Sequence, residues 1–127
     1  MPEAKSSRTI LVIEDEAMLR EITEDMLTAS GYRVLCAADG PEGIKAFEED
    51  ASIHLVLSDL GLPGLSGEEV VRRLLEIRPG TKIIVTSGFI DAPLSAQFLS
   101  MGVQILTKPY RGNELLRAVE TTIGPEA

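Results

Sequence analysis

Residues 53–64 read IHLVLSDLGLPG, an almost unbroken aliphatic run over 53–58 followed by Asp59 and a turn marked by glycine and proline. A strand without polar alternation is apolar on both faces, which suits the interior of a parallel sheet covered by helices on each side. Similar runs recur at 9–13, 33–37, 82–86 and 104–107. Amphipathic stretches lie between them. Leu19, Ile22, Met26 and Leu27 share one helical face, with Gly31 placed as a C-terminal cap. Ile44, Phe47 and Ala51 predict a shorter helix. Ser66 and Glu69 have capping-box spacing ahead of Val70, Val71, Leu74 and Leu75, and Pro79-Gly80 ends that segment. Asp91 and Pro93 open a fourth helix that closes at Gly102, while Leu115, Leu116, Val119 and Ile123 make a fifth. Strict alternation of strand and helix predicts an α/β fold. Right-handed crossovers make it a doubly wound parallel sheet of five strands with five helices.

The 127 residues suffice for one domain, 1–127, with a core of about 8–123 and loose ends of about seven and four residues. Twenty acidic residues against twelve basic ones give a net charge of −8, which argues against direct nucleic-acid binding. The N-terminal MPEAKSSR lacks an apolar signal segment, and no apolar run approaches the ~20 residues of a membrane span. A cytoplasmic protein without membrane insertion is expected. Cys36 is the sole cysteine, so no intramolecular disulfide can form; its apolar neighbours predict a buried structural thiol.

In a doubly wound sheet, ligands bind beyond the C-terminal strand ends. The first run ends in Glu14-Asp15-Glu16, the third in Ser58-Asp59, the fourth in Thr86-Ser87-Gly88 and the fifth in Thr107-Lys108-Pro109. Neighbouring strands would gather carboxylates, a hydroxyl and an ammonium at one rim. Carboxylates that close repel unless a proton or cation joins them, and Mg²⁺ accepts such a set. A carboxylate beside a metal and a lysine can attack phosphorus. On spacing alone a plainer reading also stands. Acidic residues after strands often cap the next helix, the role expected of Glu16. Lys108 could be a solvated lysine and Ser87 a loop hydroxyl.

In order and separation, ILVIEDE, GYRVLCAADGPEGIKAF, LVLSDLGLPGLSGEEVVRRL, IIVTSGF and ILTKPY resemble the receiver domains of two-component response regulators, over roughly residues 8 to 123. The resemblance implies a flavodoxin-like receiver fold, with Asp59 as phospho-acceptor and Mg²⁺ held by Glu14, Asp15, Asp59 and the carbonyl of Gly61. Ser87 matches the switch hydroxyl, Lys108 the phosphate-pairing lysine, and Pro109 a proline that follows a cis bond. A histidine kinase or histidine phosphotransfer protein would be the donor, and the domain would turn over no external substrate. The face of the last two helices would carry the signal, in a monomer or weak homodimer. Two departures stand out. Ile105 occupies a position often aromatic, and His54 one often acidic; no role is assigned to His54. Tyr32 and Tyr110 are read as packing residues. The SGF and PGLSGEEVVRRL stretches are similar to receivers at the C-termini of hybrid histidine kinases. The sequence stops soon after the fifth helix, so no output domain is expected within it.

Two other classes share parts of this pattern. A Mg²⁺-dependent phosphatase of the haloacid dehalogenase type also places a nucleophilic aspartate after a strand, but its general acid would fall at Gly61. A flavin-binding module would need a hydroxyl- and glycine-rich loop after the first strand, where Glu14, Asp15 and Glu16 stand.

Overall fold

Central strands that are apolar on both faces must be covered on both faces, and they are. A computed structural model describes residues 8–62 and 64–124. It contains β1 (Thr9–Ile13), α1 (Ala17–Ala29), β2 (Arg33–Ala37), α2 (Gly40–Glu49), β3 (Ile53–Asp59), α3 (Gly67–Ile77), β4 (Lys82–Ser87), α4 (Ala92–Ser100), β5 (Gln104–Thr107) and α5 (Gly112–Ile123). All strands pair in parallel, in the order β2-β1-β3-β4-β5. The expected doubly wound fold is therefore present. β3 and β4 each run one residue further than expected, taking in Asp59 and Ser87. Pro63 and the expected loose ends, apart from Gly124, lie outside the described residues.

Alternation along the strands splits the core in two. Ile10 and Val12 of β1, with Leu55 and Leu57 of β3, pack against Leu27 of α1 and Leu115 of α5. Leu11, Ile13 and Val56 point the other way, toward Phe47 of α2, Leu74 of α3 and Phe98 of α4. Each fully buried side chain of this size contributes about 1.5–3 kcal/mol. These layers hold the strand ends at fixed spacing.

Several local expectations change. In α1 the inward residues are Thr23 and Leu27, whereas Ile22 is 51% exposed. The helix is turned so that its short buried face does not include Ile22. Ala51 lies past the end of α2, in an exposed turn. Ser66 does cap α3 by accepting from the Glu69 N–H at 3.2 Å. Glu69, however, pairs with Arg72 and Arg73 instead of completing the box. His54 is the extra residue in an irregular β1–β3 register, where Thr9 faces Ile53 and Ile10 faces Leu55. Its Nδ1 accepts the Thr9 N–H at 3.1 Å, a structural role. Among the described residues, no helix is long and apolar enough to cross a membrane.

Cys36, on edge strand β2, is half-buried. Burial, then the charge of Glu24 and the thiol's hydrogen bond to it, push the thiol pKa up to about 11 from 9.0. At pH 8 the reactive thiolate should be roughly a hundredfold scarcer than for the unperturbed group. Thiol-disulfide labelling kinetics should show slow modification of the native protein and prompt modification in denaturant. Equal rates would contradict this placement.

Candidate functional site

β1 and β3 are neighbours in the sheet but lead their connections to opposite sides of it, since β2 lies beyond β1 and β4 beyond β3. The crevice at such a switch point is where this class of sheet binds ligands. Register places Ile13 beside Ser58, Asp59 beside Thr86 and Ser87 beside Thr107. The acidic residues after β1, the aspartate ending β3 and the lysine after β5 thus reach one rim.

The convergence is close. Glu14, Asp15 and Asp59 each offer a carboxylate oxygen, and these oxygens lie within 4.8 Å of one another. Lys108 crosses from beyond β5 to place Nζ 3.3 Å from Asp59 Oδ2, and the Asp59 side chain is only 11% exposed. Asp59 Oδ1 accepts the Gly61 N–H at 3.1 Å. The two carboxylate oxygens therefore face different cationic or donor groups.

Electrostatics mark Glu14 as the strained member. Its burial pushes the carboxyl pKa up. The Glu16 N–H and Lys108 pull it down, whereas Asp59 and Asp15 push it further up, and the net shift is upward. Burial draws the Lys108 ammonium down, but attraction to Asp59, their hydrogen bond and Glu14 outweigh it and leave the pKa raised. This oxygen-only donor set, carrying more negative charge than the one lysine offsets, fits a hard divalent cation such as Mg²⁺.

Backbone bonds hold the rim. Glu14 N–H donates to Ala37 O at 3.0 Å, Leu60 N–H to Thr86 O at 2.9 Å and Lys108 N–H to Ser87 O at 2.7 Å. The Lys108-Pro109 bond is cis, as the resemblance implied. Gly67 is a site residue that the sequence reading passed over. A Cβ there would sit 2.6 Å from Leu60 Cα and 2.7 Å from Leu60 O, both backbone atoms. Glycine therefore lets α3 start directly against the residue after Asp59. Its low helix propensity at the first helical position is the only hint the sequence carries.

Glu16 stands at the N-cap of α1 but makes no side-chain cap, contrary to expectation. Its N–H instead donates to Glu14 Oε2 at 3.2 Å, so the turn is closed by Glu14. Ser87 is on the rim, yet its hydroxyl donates to Phe89 O at 2.6 Å and accepts from Phe89 N–H at 3.2 Å. The structure thus joins Glu14, Asp15, Asp59 and Lys108, with Gly61 alongside, and turns the Ser87 hydroxyl toward its own loop. Phe89 is 81% exposed. Ile105 and Tyr110 pack against the two core layers, as does Tyr32.

The sequence model of the response regulator receiver domain matches residues 10–120. The transcriptional regulatory protein YkoG of Bacillus subtilis (strain 168) is 35% identical over 115 residues, covering 90% of this chain and 50% of that protein. The sensor histidine kinase AruS of Pseudomonas aeruginosa is 32% identical over 119 residues, 90% of this chain and 12% of the kinase. The chain spans about half the length of the first curated relatives it matches. A crystal structure of a response regulator receiver domain protein from Clostridium thermocellum superposes with a TM-score of 0.85 at 30% identity, covering 91% of this chain and 94% of that one.

The raised Glu14 pKa has a thermodynamic consequence. A carboxyl whose pKa is higher folded than unfolded stabilises the fold fully below the ordinary carboxylate range, and that contribution is lost as pH rises through the folded value. In chelator-treated protein, Glu14→Gln should therefore raise Tm at pH 7, and the gain should vanish as pH falls to about 4. Calorimetry across that range checks it; a variant no more stable at pH 7 would contradict the assignment.

Proposed function

The chain belongs to the response regulator receiver domain family, the phosphoryl-accepting modules of two-component signalling, and from that premise we propose that Asp59 is its phospho-acceptor, served by Lys108, Ser87 and a Mg²⁺ ion. One observation carries the reading: Lys108 Nζ lies 3.3 Å from Asp59 Oδ2, while the Glu14 and Asp15 carboxylates approach the same aspartate.

Glu14, Asp15, Asp59 and the Gly61 carbonyl would hold the ion. Bound Mg²⁺ would neutralise carboxylate and phosphoryl oxygens and so lower the barrier to their approach. The donor is a phosphohistidine on a histidine kinase or a histidine phosphotransfer protein, in keeping with the similarity to part of a sensor histidine kinase. An Asp59 carboxylate oxygen attacks phosphorus, the P–N bond breaks, and the electron pair leaves on the imidazole nitrogen. Lys108 shifts its charge from the carboxylate to the new phosphoryl oxygens. The Ser87 hydroxyl leaves the Phe89 carbonyl and donates to the phosphoryl group, so the loop from Gly88 to Asp91 must rearrange. Ile105 is β-branched and apolar, so it offers packing without a polar swing. The output face is that of α4, β5 and α5, where Leu99 is exposed and a groove of about 520 Å³ runs beside Ile105 and Arg117. This is the surface for a weak homodimer or an output partner. The domain modifies itself and turns over no external substrate. The phosphatase alternative gains no support, since Gly61 has no side chain to act as general acid.

Acetyl phosphate with Mg²⁺ should add one phosphoryl group by intact mass, and Asp59→Asn should abolish it. Undiminished labelling of Asp59→Asn would overturn the acceptor assignment.

The lifetime of the phosphorylated form should be long. Gly61, two residues beyond the acceptor, offers no side-chain hydrogen bond, and Phe89, two beyond Ser87, offers only an apolar ring. Neither can orient an attacking water. A missing positioning hydrogen bond is worth about 1–3 kcal/mol, or roughly tenfold to a hundredfold in rate. Decay of phosphorylated protein freed of donor should accelerate by about that factor in the double variant Gly61→Asn, Phe89→Glu. An unchanged rate would refute the water-positioning argument.

A further inference from the structure

Arg20 lies one turn inside α1, and its side chain reaches back six residues. Nη1 donates to the carbonyl oxygen of Glu14 at 2.8 Å. Its own N–H bonds to Glu16 O at 2.9 Å. The turn that carries the acidic pair is thus gripped twice by one residue. The Glu14 N–H is tied to Ala37 O at 3.0 Å, and Glu14 Oε2 accepts from Glu16 N–H. The Glu14–Asp15 peptide is the remaining link, and the arginine fixes its carbonyl. Asp15 is exposed, and among the described residues its carboxylate has no hydrogen-bond partner. Its direction therefore depends on the peptide behind it.

We propose that Arg20 is a positioning residue for the metal: by clamping the Glu14 carbonyl it orients the Glu14 and Asp15 carboxylates toward Asp59. The inference rests on the Mg²⁺ reading above. Arg20 acts in two opposed ways. As a cation on the turn that carries two of the carboxylates it competes with Mg²⁺; as a clamp it preorganises the ligands. Solvent and salt weaken the first effect, because Arg20 keeps part of its surface exposed. The second acts through a fixed backbone group, as the outer partners of metal ligands do, and those are worth about tenfold to a hundredfold in metal affinity. The clamp should win.

The two roles predict opposite signs. Calorimetric Mg²⁺ titration of Arg20→Ala should show affinity weakened by about tenfold. Phosphorylation by acetyl phosphate should recover to near the wild-type rate at saturating Mg²⁺. Arg20→Lys keeps the charge and one donor but has a shorter reach, so it should regain only part of the affinity. In both variants, amide resonances of Glu14, Asp15 and Glu16 should shift before any metal is added. Arg20→Ala that binds Mg²⁺ as tightly as wild type, or more tightly, overturns the clamp; so does Arg20→Ala whose Glu14, Asp15 and Glu16 amide resonances stay where they are in wild type. Asp15→Asn serves as the reference for the site itself. Wild type that binds no Mg²⁺, or Asp15→Asn that binds it fully, would instead overturn the metal reading on which the inference rests.

Discussion

Three carboxylates held within 4.8 Å of one another set the terms for the rest of this molecule. Their mutual repulsion favours any movement that separates β1 from β3, and Glu14 is also largely shut off from water, with its pKa pushed up in consequence. One ammonium opposes them. Lys108 comes from the far side of β4, so its contact with Asp59 spans two strand intervals and exists only if β3, β4 and β5 keep their register.

The restraint that holds this arrangement is apolar and lies elsewhere. β1 and β3 are buried on both faces by helices from both sides, and they pair from Thr9 beside Ile53 to Ile13 beside Ser58. Separating the strand ends would open both core layers at once. Close approaches add to the constraint. Gly67 admits α3 against Leu60, and Gly43 lies where a Cβ would collide with Ile13 at 2.4 Å. Both contacts sit beside residues that carry the acidic groups. Stability is invested below the rim, and the rim keeps an excess of negative charge that a cation can relieve.

The same arrangement makes a switch physically reasonable. Ser87 is joined to the sheet through its carbonyl, which accepts the Lys108 N–H, while its hydroxyl belongs to a short turn with Phe89. On the proposed reading, a new anion on Asp59 would compete with that turn for the hydroxyl and with the existing carboxylates for Lys108. Both changes would feed into α4 and β5, an edge strand of the sheet.

Much of this was legible in the chain itself. Short uninterrupted aliphatic runs fit strands covered twice, and their spacing by amphipathic segments leaves a doubly wound sheet as the economical solution. The strand-terminal residues Glu14, Asp15, Asp59, Ser87 and Lys108 followed from that order. What the chain did not disclose was side-chain direction. Ile22 faces outward and Thr23 inward because the rotation of α1 is set by its packing on β1 and β2. Glu69 chose two arginines over its cap, and Glu16 left capping to its neighbour's carboxylate. Arg20 and Gly67 gave no periodic or motif signal, because each acts on backbone atoms of a nearby turn, Glu14 O and those of Leu60, which side-chain patterning does not mark. Sequence order alone determined which residues end the strands. Only the tertiary structure decided which atoms meet there, since a contact such as that between Asp59 and Lys108, 49 positions apart, depends on register, which local patterning does not encode.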